Sequence, residues 1–214
     1  MAREQSAIAR QLCDIGRSFH ARGWALGTSG NFSAVISRRP LRLAITASGI
    51  AKDRLSATHI LECGEDGRVV GRRRGRPSAE TLLHVEIARL RSAGAVLHTH
   101  SVWSTIVSDL NAAEGGVAVE GYEMLKGLQG VSSHVHREWI PIVDNDQDMQ
   151  RLAHQVRDTL TRDDRAHAFL LRRHGLYTWG ATVDEALRHV EILEFLLEAI
   201  GRTREVRHGH HQNS

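Results

Sequence analysis

The chain has 214 residues, of which 41% are hydrophobic and 25% charged, and 28 basic against 25 acidic side chains leave a net charge of +3. That is the composition of a folded globule with a sizeable core, and it excludes a disordered or collagen-like chain. No apolar run approaches the roughly 20 residues of a membrane span, the opening Met1-Ala2-Arg3-Glu4-Gln5 lacks the apolar core of a secretion signal, and only two distant cysteines, Cys13 and Cys63, occur, so a soluble, cytoplasmic protein without disulfides is expected.

Ile8, Leu12, Ile15 and Phe19 recur at helical spacing and Gly23 stops them, which predicts an amphipathic opening helix. Phe32 to Ile36 alternates as a strand, and Leu41 to Thr46 reads as its hairpin partner. His59 to Cys63 and Arg68 to Gly71 flank a turn at Gly64-Glu65-Asp66-Gly67. Pro77-Ser78 opens a helix with Ser78 as its cap; Leu82, Leu83, Ile87 and Leu90 form its buried stripe, and Gly94 ends it. A buried strand follows over Ala95 to Thr99, then a helix capped by Ser101. Glu120 to Gly127 reads as a short helix, Trp139 to Val143 as a strand, and Asp146 starts the next helix. Ala166 to Leu171 and Leu176 to Trp179 pair as a hairpin. A long helix from about Thr182 to Gly201 closes a single domain spanning 1–214, its core at about 5–201 and its tail, 202–214, flexible. Helices interleaved with hairpins predict an α/β fold on a mixed sheet. No Gly-rich nucleotide loop or nucleophile elbow occurs.

Arg72-Arg73-Arg74 with Arg76 reads as a solvated loop, since no aromatic residues interleave as a nucleic-acid platform needs. No nucleic-acid or membrane partner is expected. Three of the fourteen histidines, His208, His210 and His211, lie near the chain end and are discounted as adventitious.

The chemistry concentrates elsewhere. In His98-Thr99-His100 at a strand end, residues i and i+2 project from one face, so two imidazoles can reach one ion. His174, followed by Gly175 where a strand turns over, offers a third ligand. Three imidazoles with an open fourth position suit a catalytic divalent metal. Taken alone, His98-Thr99-His100 is equally a pair of polar residues at a strand end, and His174 alone reads rather as a loop histidine without metal. Glu80, in a first helical turn, and Glu123 are the candidate acids; the first also suits a helix dipole and the second a surface pair with Lys126. Ser29-Gly30-Asn31, Ser48-Gly49 and Ser78 lie in polar loops that can cradle an anion.

Gly27-Thr28-Ser29-Gly30-Asn31-Phe32-Ser33, Ile45-Thr46-Ala47-Ser48-Gly49, Pro77-Ser78-Ala79-Glu80, His98-Thr99-His100 and Arg173-His174-Gly175 occur in the order of the class II aldolase/adducin family. The resemblance runs from about Gln5 to Gly201. It implies a three-layer α/β/α fold around a central mixed, largely antiparallel sheet. It implies one zinc ion (Zn2+) per subunit, held by His98, His100 and His174, and a phosphate pocket at Ser29, Gly30, Asn31, Ser48, Gly49 and Ser78. A small phosphorylated ketose as substrate and a homotetramer are implied too. Glu123-Met124-Leu125-Lys126-Gly127 and Arg172 to Gly180 are most similar to the family's dehydratases, which implies a lyase with Glu123 as main acid/base and Glu80 as second candidate, or as a metal-site residue when no substrate is bound. Its aldolases use a tyrosine near the chain end, and none follows Gly201 here. An aldolase, a pentulose-phosphate 4-epimerase and a non-enzymatic adducin-like assembly domain are the alternatives.

Overall fold

Apolar residues at helical spacing and in short buried runs resolve into eight strands and five helices. The computed structural model describes residues 2–71 and 73–211. Along the chain these are α1 (Ala2–Ala21), β1 (Asn31–Arg38), β2 (Leu41–Thr46), β3 (Ile60–Gly64), α2 (Thr81–Leu90), β4 (Ala95–Thr99), α3 (Val102–Leu110), β5 (Gly116–Val119), β6 (Glu138–Val143), α4 (Met149–Arg162), β7 (Ala168–Leu171), β8 (Gly175–Gly180) and α5 (Val183–His211). The strands form one sheet in the order β3-β2-β1-β4-β8-β7-β6-β5. Only β6 and β7 run parallel, so the sheet is mixed and largely antiparallel as expected.

Alternation along β4 sorts the layers. Ala95 and Leu97 pack with Leu12, Ile15 and Phe19 of α1 and with Ala186 and Val190 of α5. Val96 points the other way, under Leu83 and Ile87 of α2 and Leu152, Val156 and Leu160 of α4. Helices therefore cover both faces, and β4 lies near the middle with β1 and β8 on either side. Among the described residues no helix is long and apolar enough to cross a membrane.

Several boundaries differ from expectation. Ser78 does not cap α2: the helix begins at Thr81 with Glu80 at its N-cap. A bridge between Ala47 and Pro77 keeps the backbone extended there, so helical turns start only beyond it. Ser78 Oγ instead accepts from the Glu80 amide at 3.3 Å. The strand over Arg68 to Gly71 shrinks to a single bridge, Cys63 with Val69. Strand β5 was not anticipated, its four residues being too few to show a period. Helix α4 starts three residues after Asp146, capped by the Asp148 carboxylate. Helix α5 runs past Gly201 to His211, so the tail is not a loose segment from 202. Gly201 is there for packing: a β-carbon would come 2.2 Å from the Trp103 ring of α3. Residues 212–214 lie outside the described residues, as does Arg72 of the arginine cluster. Arg73 donates to the carbonyls of Ala57 and Ile60, the second at 2.9 Å.

Phe19 is fully buried and meets Phe32 edge-on at 5.4 Å. Phe19→Ala should cost about 3–5 kcal/mol, the range for truncating a core aromatic, read as a fall in the denaturant midpoint at unchanged slope.

Candidate metal centre

Strand register assembles the site. Asn31 of β1 pairs with His98 of β4, and His98 pairs with Tyr177 of β8. The sheet ends at Thr99, and His100 continues with its amide donating to the Trp24 carbonyl at 2.7 Å. His174 comes from the turn between β7 and β8, where Arg173 takes a left-handed φ of 54°.

The four side chains Glu80, His98, His100 and His174 converge, their ligand atoms all within 4.8 Å of one another. His174 Nε2 lies 3.3 Å from His98 Nε2 and 3.1 Å from His100 Nε2. The Glu80 carboxylate lies 3.2 Å from His174 Nε2 and 3.5 Å from His98 Nε2. His98 Nδ1–H donates to the Leu176 carbonyl at 2.9 Å, which fixes the tautomer and leaves the Nε2 lone pair pointing inward. Burial, then the neighbouring imidazoles, hold His98 well below its usual value. Burial, then His174 and Lys52, push His100 down to about 3. Burial lowers His174 too, against the pull of Glu80. Neutral imidazoles beside one carboxylate are a nitrogen–oxygen donor set that fits a divalent metal.

A one-way chain of hydrogen bonds holds Glu80. Asn31 Nδ2 donates to its Oε2 at 2.6 Å. That leaves Asn31 Oδ1 to accept from His84 Nε2–H, and His84 Nδ1 to accept from Ser33 Oγ–H at 2.7 Å. Tyr177 stacks flat on His98, ring centroids 3.9 Å apart, with Phe169 stacked at 4.9 Å on Tyr177. Behind the ligands Thr99 points to the opposite face, where its hydroxyl donates to the buried Glu194 carboxylate of α5. Burial pushes Glu194 up to about 7.

The polar loops also come together. Ser48 N–H donates to the Arg76 carbonyl at 2.9 Å, which joins the Ser48-Gly49 loop to the Pro77-Ser78 segment. Lys52 Nζ donates to the carbonyls of Thr28 (2.9 Å) and Ile50 (3.1 Å), joining the Ser29-Gly30-Asn31 loop to Ser48-Gly49. Gly30 lies against the His98 carbonyl, which a β-carbon would approach to 2.9 Å; its φ of +72° also favours glycine.

Glu123 is not one of the four. Its side chain is 73% exposed and pairs with Lys126 at 2.6 Å, whose hydrogen bond and charge hold the carboxyl below the usual range. His84, Lys52, Tyr177 and Glu194 escaped the sequence reading. Each has a contact tens of residues away in sequence, and no local pattern marks them.

The match to known proteins agrees with this geometry. Residues 10–200 match the family model of the class II aldolase and adducin N-terminal domain, and the chain belongs to that family. Two curated relatives are named methylthioribulose-1-phosphate dehydratase. That of Methylococcus capsulatus is 46% identical over 191 residues, 89% of this chain and 91% of its own. That of Sorangium cellulosum is 42% identical over 194 residues, 90% of this chain and 91% of its own. Among solved structures, an L-fuculose-1-phosphate aldolase from Thermus thermophilus superposes with a TM-score of 0.75 at 22% identity, covering 95% of this chain and 98% of that one. That likeness is one of fold.

His84 is fully buried, and burial pushes its pKa from 6.5 down to about 3. As pH falls below 6.5 the unfolded chain takes the proton first, so stability drops across the window from about 6.5 to about 3. Metal-free protein should lose up to about 1.4 kcal/mol per pH unit through this one group. In denaturant titrations at pH 7 and pH 5, His84→Gln should show the shallower fall; an unchanged slope would remove His84 from this account.

Proposed function

We propose that this protein is a zinc-dependent dehydratase that converts 5-methylthioribulose 1-phosphate to 2,3-diketo-5-methylthiopentyl 1-phosphate, a step of methionine salvage. The observation that carries the reading is the convergence of Glu80, His98, His100 and His174 in a chain more than two-fifths identical to dehydratases of that name. His98, His100 and His174 hold the zinc ion, with Glu80 beside them. When bound, the ion supplies Lewis acidity that polarises the ketone and offsets the negative charge developing beside it.

The chain's own residues do the rest. The loops at Ser29, Gly30, Asn31, Ser48, Gly49 and Ser78 grip the phosphate end. Glu123 takes the C3 proton; the electron pair moves toward C4, and the C4–O bond breaks. The C4 hydroxyl leaves as water after gaining a proton. The C3 enol then takes a proton at C4 and loses one from oxygen, giving the 2,3-diketone. Glu80 is the weaker candidate for base, because Asn31 already donates to its Oε2 and its carboxylate belongs to the cluster that would hold the ion. Glu123 is an exposed carboxylate outside the cluster, paired with Lys126, which lowers its pKa.

The enzyme works as a homotetramer in this reading. Val102, Ile106 and Leu110 form an exposed apolar stripe on α3, which starts one residue after Ser101 at the ligand strand. A stripe at four-residue spacing suits burial against another copy.

Turnover of 5-methylthioribulose 1-phosphate, followed by absorbance of the diketone, should disappear with a chelator and return with zinc. Glu123→Gln should lose at least a hundredfold in kcat at unchanged zinc content. Full turnover in that variant would move the acid/base role to Glu80. Aldehyde release from fuculose or ribulose phosphates, with no diketone, would replace the dehydratase by an aldolase.

A further inference from the structure

Lysine is almost absent from this chain: its 28 basic residues are 26 arginines and two lysines, Lys52 and Lys126. Lys126 is a surface residue that pairs with Glu123. Lys52 is 1% exposed, one of the largest fully buried side chains of the protein. Its short turn, Lys52–Arg54, packs beneath α1.

A buried ammonium is costly unless something compensates its charge. Lys52 Nζ finds two carbonyls, Thr28 and Ile50. Among the described residues no carboxylate accompanies them, and burial alone pushes the amine down to about 8. The two carbonyls are informative by position. Thr28 immediately precedes Ser29-Gly30-Asn31, and Ile50 immediately follows Ser48-Gly49. The cation is thus fixed between the two loops that present glycines, hydroxyls and the Asn31 amide. Arginine could not take this place: a planar fork with five hydrogens needs more acceptors than two carbonyls offer, whereas an ammonium is compact.

We propose that Lys52 is the counter-charge of the anion pocket, a positioning residue whose ammonium ties the two loops together and whose charge is neutralised when the substrate's phosphate dianion settles between them. This rests on the reading that these loops hold the phosphate of the ketose, and adds to it the residue that makes them selective for a dianion. The serines and glycines supply dipoles; Lys52 supplies the full charge. Apart from the substrate, nothing described near Nζ balances it.

The test uses the zinc-loaded full chain and inorganic phosphate. With lysine labelled at ζ-nitrogen only two signals arise, which makes the assignment simple. Titration with phosphate should move the Lys52 signal to saturation and leave Lys126 in place. Calorimetry on Lys52→Met should show phosphate binding weakened at least tenfold at unchanged zinc content. In turnover the same variant should raise KM for the phosphorylated substrate at least tenfold, with a smaller change in kcat, a split that a general loosening of the loops would not give. Phosphate that moves the histidine ring signals but not Lys52 would place the anion on the metal and overturn the proposal. So would a Lys52→Met protein that binds phosphate as tightly as the parent. If Lys52→Met does not fold, the titration of the unaltered protein decides. A protein that turns over no 5-methylthioribulose 1-phosphate but whose Lys52 answers to phosphate would refute the dehydratase reading and leave this one standing.

Discussion

The site depends on the register of β4 between its two antiparallel neighbours. Pairing His98 with Asn31 on one side and with Tyr177 on the other puts an imidazole of the candidate metal cluster, the amide that holds Glu80 and a stacking ring on one face of the sheet. A slip of one residue would exchange the faces: Thr99 would face the ligands and His98 would face Glu194. Such a slip would also exchange Val96 and Leu97 between two differently packed cores, each fitted to the side chain it now holds. The same register explains how a left-handed Arg173 is tolerated. Its amide donates to Ser108 Oγ at 3.0 Å and its guanidinium pairs with Asp109 at 2.9 Å, so α3 holds the turn that carries His174.

Two acids flank β4, one on each face, and their surroundings differ. Glu80 receives an amide N–H from Asn31, and the direction of that bond is imposed from below by neutral His84 and the Ser33 hydroxyl. A chain of donors that all point one way polarises toward its end and fixes the orientation of the Glu80 carboxylate. Glu194 has the Thr99 hydroxyl and the neighbouring Ser101 as its favourable contacts, and burial outweighs them. The first is suited to sit beside a cation; the second braces the strand from behind.

Much of this was legible from the sequence for reasons that can be named. The ligand histidines lie where strands end, and strand ends are marked locally by apolar runs breaking into polar residues, so His98, His100 and His174 could be read. Glu80 was legible as a candidate but not as a cap, because the bridge of Ala47 to Pro77 that delays the helix joins residues thirty apart. Gly201 misled for a similar reason: glycine ends many helices, and only the Trp103 ring on another helix shows that here it admits a close contact. Strand β5 is held by pairing with β6 rather than by any pattern of its own. Lys52 left a trace in composition, two lysines among so many arginines, but its burial is a property of the assembled fold.

Charge arithmetic joins these pieces. With all three imidazoles neutral, a divalent ion held by this group keeps one positive charge once Glu80 is counted. Lys52 adds a second, buried behind the loops. Under the proposal that these loops take the substrate's phosphate, two positive charges in a partly desolvated site would attract a dianion, the attraction growing as water is displaced. Neutral histidines are essential to that balance. Protonating even one would repel a metal ion, so the burial that lowers their pKa values preserves the donor set.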